Sequence, residues 1–139
     1  MGYYRLLSGT MGLTVLALSA GSALAHHSFA MFDRDPGKEA TVSGALKEFD
    51  FSNPHGWLRI YALDGPNKGA VWSFEMAAVN QLKAYGWTPE TVKPGDTVTV
   101  AYYPLRFGSF GGEFISVKLP DGRLLKGVNE GDRGFPTSR

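Results

Sequence analysis

Alternation constrains this chain more than any other feature. Five runs put apolar, β-branched or aromatic residues at every second position, and one run between the third and fourth changes to an interval of three. Period two reads as half-buried strand and a period near 3.6 as helix. The strand runs are 41–49, 57–63, 70–75, 97–103 and 113–119. The helical run is 76–85, where Val79, Leu82 and Tyr85 recur with Ala78 beside them. Gly86 stands where a left-handed C-terminal cap is wanted, and Trp87 after it can fold back on the last turn. Asp64-Gly65-Pro66-Asn67-Lys68-Gly69 reads as a hairpin loop and Lys93-Pro94-Gly95-Asp96 as a turn. Asp121-Gly122 starts a return through 123–125, a sixth short strand. The fold class is therefore all-β with one short helix. Three strands, a helix, then two or three strands is the order of an oligonucleotide/oligosaccharide-binding-type barrel (OB barrel). The expectation is five to six antiparallel strands in a Greek key, with the helix between strands 3 and 4 plugging an end. A small antiparallel sandwich gives a similar string. Gly44 favours the barrel, because a bend there lets the first strand serve both halves of a closed sheet.

A chain of 139 residues holds one such domain, placed here at 40–126. It has no cysteine, which excludes a disulfide scaffold, a thiolate zinc site and a cysteine nucleophile. Residues 1–25 stand apart. Arg5 is their only charge, an apolar stretch diluted by Ser, Gly and Thr follows, and Ala23-Leu24-Ala25 is a small-x-small cleavage signal. This is the grammar of a secretory signal peptide, with an uncleaved anchor as the rival. The expected location is periplasmic, with no membrane attachment after cleavage. Residues 26–39 form an N-terminal arm with a turn at Asp33-Arg34-Asp35-Pro36-Gly37, and 127–139 a flexible tail. Loss of Arg5 brings the 14 basic side chains level with the 13 acidic ones. That balance argues against a nucleic-acid partner, whose phosphates call for excess Lys and Arg.

The chemistry lies in three places. Cleavage after Ala25 makes His26 the first residue. Its free amine and ring nitrogen could then chelate one metal, with His27 or His55 adding a third nitrogen. Such a donor set suits Cu(II) and resembles the histidine brace of copper proteins. Met31 and Met76 are candidate soft ligands, or core filler. The plainer reading leaves the histidines incidental, with His55 capping a turn. Second, aromatic residues recur along the strands. Most are expected to fill the barrel or cover its face. Phe107 and Phe110 sit in a Gly-rich loop with no core to fill, and with Trp57 they are candidates to line a ligand mouth. Third, Glu75 is the one acid inside an apolar run. It reads as favouring the helix N-terminus by its charge, or as a buried carboxyl. No phosphate loop, serine elbow or metalloprotease motif is present, and no catalytic residue can be nominated.

Ala25-His26-His27-Ser28-Phe29, Asn53-Pro54-His55, Trp72-Ser73-Phe74-Glu75-Met76, Gly86-Trp87-Thr88, Lys93-Pro94-Gly95-Asp96 and Leu119-Pro120-Asp121-Gly122-Arg123 together carry a resemblance over about residues 25–126. They resemble the small exported bacterial proteins of domain of unknown function 6152. The resemblance implies an exported Gram-negative protein with one small β domain, and no established activity or site. Gly56 departs from it, standing where a larger apolar residue is expected.

The sequence thus reads as a periplasmic β-barrel binding module rather than an enzyme. The first reading has it capture Cu(II) through His26, His27 and His55. The alternative is an accessory barrel that binds a small ligand or a periplasmic protein through Phe107, Phe110 and Trp57, without metal. A copper-dependent oxidative enzyme is the third reading, and it lacks a visible substrate platform.

Overall fold

The strand and helix periods become six strands and one helix in the computed structural model, which describes residues 31–127. The signal segment 1–25, His26, His27 and the tail from 128 onward lie outside the described residues. The elements are β1 (Ala40–Asp50), β2 (Trp57–Ala62), β3 (Val71–Glu75), α1 (Val79–Ala84), β4 (Thr97–Pro104), β5 (Gly111–Lys118) and β6 (Leu124–Lys126). The sheet order is β3-β2-β1-β4-β5-β6, and β3 also pairs with β5. The first five strands therefore close into a barrel with the expected OB-type order, and α1 joins β3 to β4. One ladder corrects the antiparallel expectation: β3 and β5 run parallel, Ser73–Glu75 facing Gly111–Glu113. Four antiparallel steps around the ring (β3-β2-β1-β4-β5) return the chain to its starting direction. A five-stranded ring must therefore close on a parallel pair.

Gly44 does what its position suggested. Gly44 and Ala45 belong to the β1–β2 and the β1–β4 ladders at once. A Cβ on Gly44 would fall 2.7 Å from the Tyr61 carbonyl oxygen, inside contact distance. β1 can pass that close to β2 only without a side chain. Alternation sends Leu46, Leu58, Ile60, Phe74, Val98, Val100 and Val117 inward, where they are buried. Burying each is worth about 1.5–3 kcal/mol relative to exposure.

α1 is shorter than the expected 76–85 because its first backbone donor is capped from another loop: the Asn53 side-chain oxygen accepts from Val79 N–H at 3.1 Å. Its other end is the expected glycine cap. Gly86 has φ 85°, Gly86 N–H donates to Lys83 O and Trp87 N–H to Leu82 O, both at 3.1 Å. This double bond pattern folds Trp87 back into the core. There its indole N–H donates to Lys126 O at 2.8 Å and its rings meet Phe49 and Phe114 at 5.5 Å.

The arm is fastened where it is described. Phe32 is buried and bridges Leu105, and Asp33 N–H donates to Pro104 O at 2.8 Å. Arg34 forms a two-pronged ion pair with Glu113 of β5. Gly127 is buried, its N–H donating to Ile115 O at 2.7 Å. Among the described residues no helix is long and apolar enough to cross a membrane.

Candidate functional site

The alternation that buries Leu58, Ile60 and Phe74 turns Trp57, Ser73 and Glu75 outward on the β2–β3 face. Trp57 and Glu75 are cross-strand partners. Against this face lies the loop between β4 and β5, residues 105–110. Two glycines bring it there. A Cβ on Gly111, whose φ is 137°, would lie 1.9 Å from Ser73 O. One on Gly112 would lie 1.9 Å from Tyr103 O. Only bare backbone can enter both gaps. Ser73 N–H then donates to Phe110 O at 3.2 Å, which continues the β3–β5 ladder into the loop.

The loop is also tied to the arm. Arg106 N–H donates to Met31 O at 2.8 Å and its Nε to Phe32 O at 3.1 Å. Strand face, loop and arm together enclose a cleft of about 670 Å³ lined by Met31, Trp57, Val71, Ser73, Glu75 and Phe110, among others. That volume lies within the range of small-molecule sites, about 300–1,000 Å³. Among the described residues lining it, Glu75 alone carries a charge.

Phe110 and Phe107, paired in the sequence reading, have different surroundings. Phe110 is 46% exposed, and its inner face stacks on Trp72 with centroids 5.3 Å apart and planes at 29°. Trp72 leans edge-on against Tyr102 at 5.7 Å, and Tyr102 against Phe74 at 5.1 Å. A chain of rings thus runs from the core to the cleft and braces Phe110. Phe107 is 86% exposed and lies outside the cleft lining. Trp57 lines the cleft and carries the Arg59 guanidinium over its ring at 5.5 Å.

Trp72 escaped the sequence reading as a site residue because strand alternation offered it only as filler. Its indole N–H is buried with no hydrogen-bond partner among the described residues. Glu75 is corrected. Helix α1 starts at Val79 with no acid in its first turn, so Glu75 does not serve that terminus. It stands at the end of β3, side chain 19% exposed, with Oε1 3.2 Å from His55 Nδ1.

His55 sits in the β1–β2 loop, which is pinned to the segment before α1. Gly56 N–H donates to Ala77 O at 3.1 Å and Met76 N–H to Gly56 O at 2.8 Å. A Cβ on Gly56 would meet Asp50 O and Leu82 Cδ1 at 3.2 Å, so this tight crossing explains the small residue. His55 Nδ1 is 3.1 Å from Met76 O. A carbonyl can only accept, so Nδ1 carries the proton and, in the neutral ring, Nε2 keeps its lone pair. Met76 is core, whereas Met31 is exposed at the cleft because the arm lies on the barrel surface. His26 and His27 are outside the described residues. Among the described residues, no three His, Asp or Glu side chains gather to hold a metal.

The motifs behind the resemblance divide by task. Gly86-Trp87 caps α1. Lys93-Pro94-Gly95-Asp96 pins a turn to β1 through Gly95 N–H to Leu46 O at 2.8 Å and Leu46 N–H to Asp96 O at 2.8 Å. Leu119-Pro120-Asp121-Gly122-Arg123 turns β5 into β6, with Leu119 N–H donating to Arg123 O at 2.8 Å. Ser73 and Glu75 of Trp72-Ser73-Phe74-Glu75-Met76 line the cleft, and His55 of Asn53-Pro54-His55 lies outside the lining but contacts Glu75. A family model, the Family of unknown function (DUF6152), matches residues 14–114. The chain belongs to this family. For the DUF6152 domain described here, comparison with the curated proteins and with the solved structures finds no match.

Proposed function

We propose that this DUF6152 protein is an exported, periplasmic binding module that takes a small ligand into the cleft between Trp57, Glu75 and Phe110. The observation that carries this reading is the bracing of Phe110. A loop aromatic left exposed in water is ordinarily free to rotate, and ordering it on binding costs about 0.5–1.5 kcal/mol. Here Trp72 holds the ring before any ligand arrives. The position supports the reading too, since barrels of this topology bind ligands on the face of strands 2 and 3 between the flanking loops.

Ligand-observed NMR with a library of small fragments tests it. Binders are expected to compete for one site and to lose most of their affinity in Phe110→Ala, while that variant still unfolds in one cooperative transition at a modestly lower temperature. Fragments that bind the variant as well as the parent, or no binders at all, contradict it.

A second reading is favoured by His55: Cu(II) capture by His26, His27 and His55. The Met76 carbonyl fixes the ring tautomer, and Glu75 beside Nδ1 is the carboxylate partner that metal-bound histidines commonly have. Protein starting at His26 should bind Cu(II) at least about a hundredfold tighter than protein with one added alanine before it. Equal weak binding by both removes this reading, and His55→Ala decides whether that ring takes part.

A further inference from the structure

We infer that Met31 is an oxidation site, and that the sulfoxide formed there lowers the affinity of the cleft for apolar ligands. This rests on the proposal that the cleft is a ligand site and adds a redox control to it. The chain has no cysteine, so thioethers are the sulfur it offers an oxidant. Among the described residues there are two, and they stand at opposite extremes. Met76 is 3% exposed and belongs to the same core as Phe74, Leu82 and Trp87. Met31 is 55% exposed and lines the cleft. Peroxide reaches an exposed sulfur by diffusion, and a buried one only when the fold opens.

The fold keeps this sulfur at the cleft. Arg106 N–H donates to Met31 O at 2.8 Å, and Phe32, the next residue, is buried and bridges Leu105. A change in the Met31 side chain is therefore a change in the cleft wall. The reaction is a two-electron oxygen transfer. A sulfur lone pair attacks one oxygen of hydrogen peroxide, and the S–O bond forms as the O–O bond breaks. The leaving hydroxide takes the proton shed by the transferred oxygen and becomes water, so the thioether is oxidised and the peroxide reduced. The product is a polar, chiral sulfoxide with an acceptor oxygen. Its neighbours in the lining include Trp57, Val71, Leu105 and Phe110. An apolar ligand that covers this oxygen strips its water and returns no hydrogen bond, a cost the thioether does not carry.

The test treats the full chain with hydrogen peroxide and follows two readouts. Peptide mass mapping over time should show Met31 gaining one oxygen at least about tenfold faster than Met76. Ligand-observed NMR with anisole, an apolar aromatic without a hydrogen-bond donor, should show affinity falling at least about fivefold in the treated chain. Methionine sulfoxide reductases A and B together should restore it. Met31→Leu, compared with its own untreated value, should show no such fall. Equal rates at Met31 and Met76 overturn the modification site. Met31 oxidised with anisole binding unchanged, or a fall that Met31→Leu shares, overturns the control while leaving the cleft a ligand site. No anisole binding to the untreated chain up to about 5 mM overturns the apolar-ligand reading and its control together. The rate comparison is made within one molecule and needs no variant to fold.

Discussion

Two glycine-bearing loops of this barrel look alike in sequence and differ in what they hold. The β2–β3 loop, Asp64 to Ala70, is closed by its own backbone: Gly69 N–H donates to Ala62 O, Lys68 N–H to Gly65 O and Ala70 N–H to Asn67 O. Its glycines, Gly65 and Gly69, have positive φ and open space around them. The β4–β5 loop is fastened at three points: to the β3 backbone through Phe110 O, to the Trp72 ring of the same strand through the Phe110 ring, and to the arm through Arg106. Its own Gly108 also has positive φ and open space, but Gly111 and Gly112, which open β5 directly after the loop, are there because other backbone fills the space. The first loop only reverses the chain. The second is the wall of a site.

Five substitutions or conditions separate the two cases. Gly111→Ala has the largest expected effect, because its Cβ would overlap Ser73 O and force β3 from β5. A loss of about 3–4 kcal/mol in urea denaturation is expected, with the cleft lost as well. Glu113→Gln comes next. It leaves Arg34 half-paired at a partly buried position, so about 1–2 kcal/mol should be lost, and amide exchange at Phe32 and Asp33 should quicken. Gly65→Ala strains a positive φ of 73° but meets no atom, so about 1 kcal/mol is expected.

Alkaline pH tests the ring chain. Burial pushes the Tyr102 phenol above its ordinary value of 10.0. The folded state then holds that proton more tightly than the unfolded state. Its contribution is whole below pH 10 and is lost as pH rises through the raised folded value. Denaturation midpoints should fall in that window, less so in Tyr102→Phe. Phe107→Ala should be the smallest, within about 0.5 kcal/mol, since the ring touches little.

The strand order, the Gly44 bend and the Gly86-Trp87 cap were legible because each is a local rule: alternation, a missing side chain, a helix end. The parallel closure follows from counting strands round the ring, a non-local constraint that alternation within each strand does not carry. The site was legible in pieces. Phe110, Trp57 and His55 stand in loops or at a strand start, where composition draws attention. Trp72 sits mid-strand, and nothing local tells a brace from core filler. The Glu75–His55 contact joins residues 20 positions apart in sequence, and the register of β2 on β3 together with the Gly56–Met76 and Gly56–Ala77 backbone bonds brings the β1–β2 loop to the end of β3. For His26 and His27 the sequence argument stands alone.

Chemical-shift mapping in the unaltered chain, titrated with a fragment that binds in the ligand-observed NMR screen, reaches the central claim most directly. Resonances of Trp57, Ser73 and Phe110 should shift together along one saturation curve, while Asp64 to Ala70 stay put. Shifts confined to the β2–β3 loop, or spread without saturation over the exposed rings including Phe107, would contradict a built cleft.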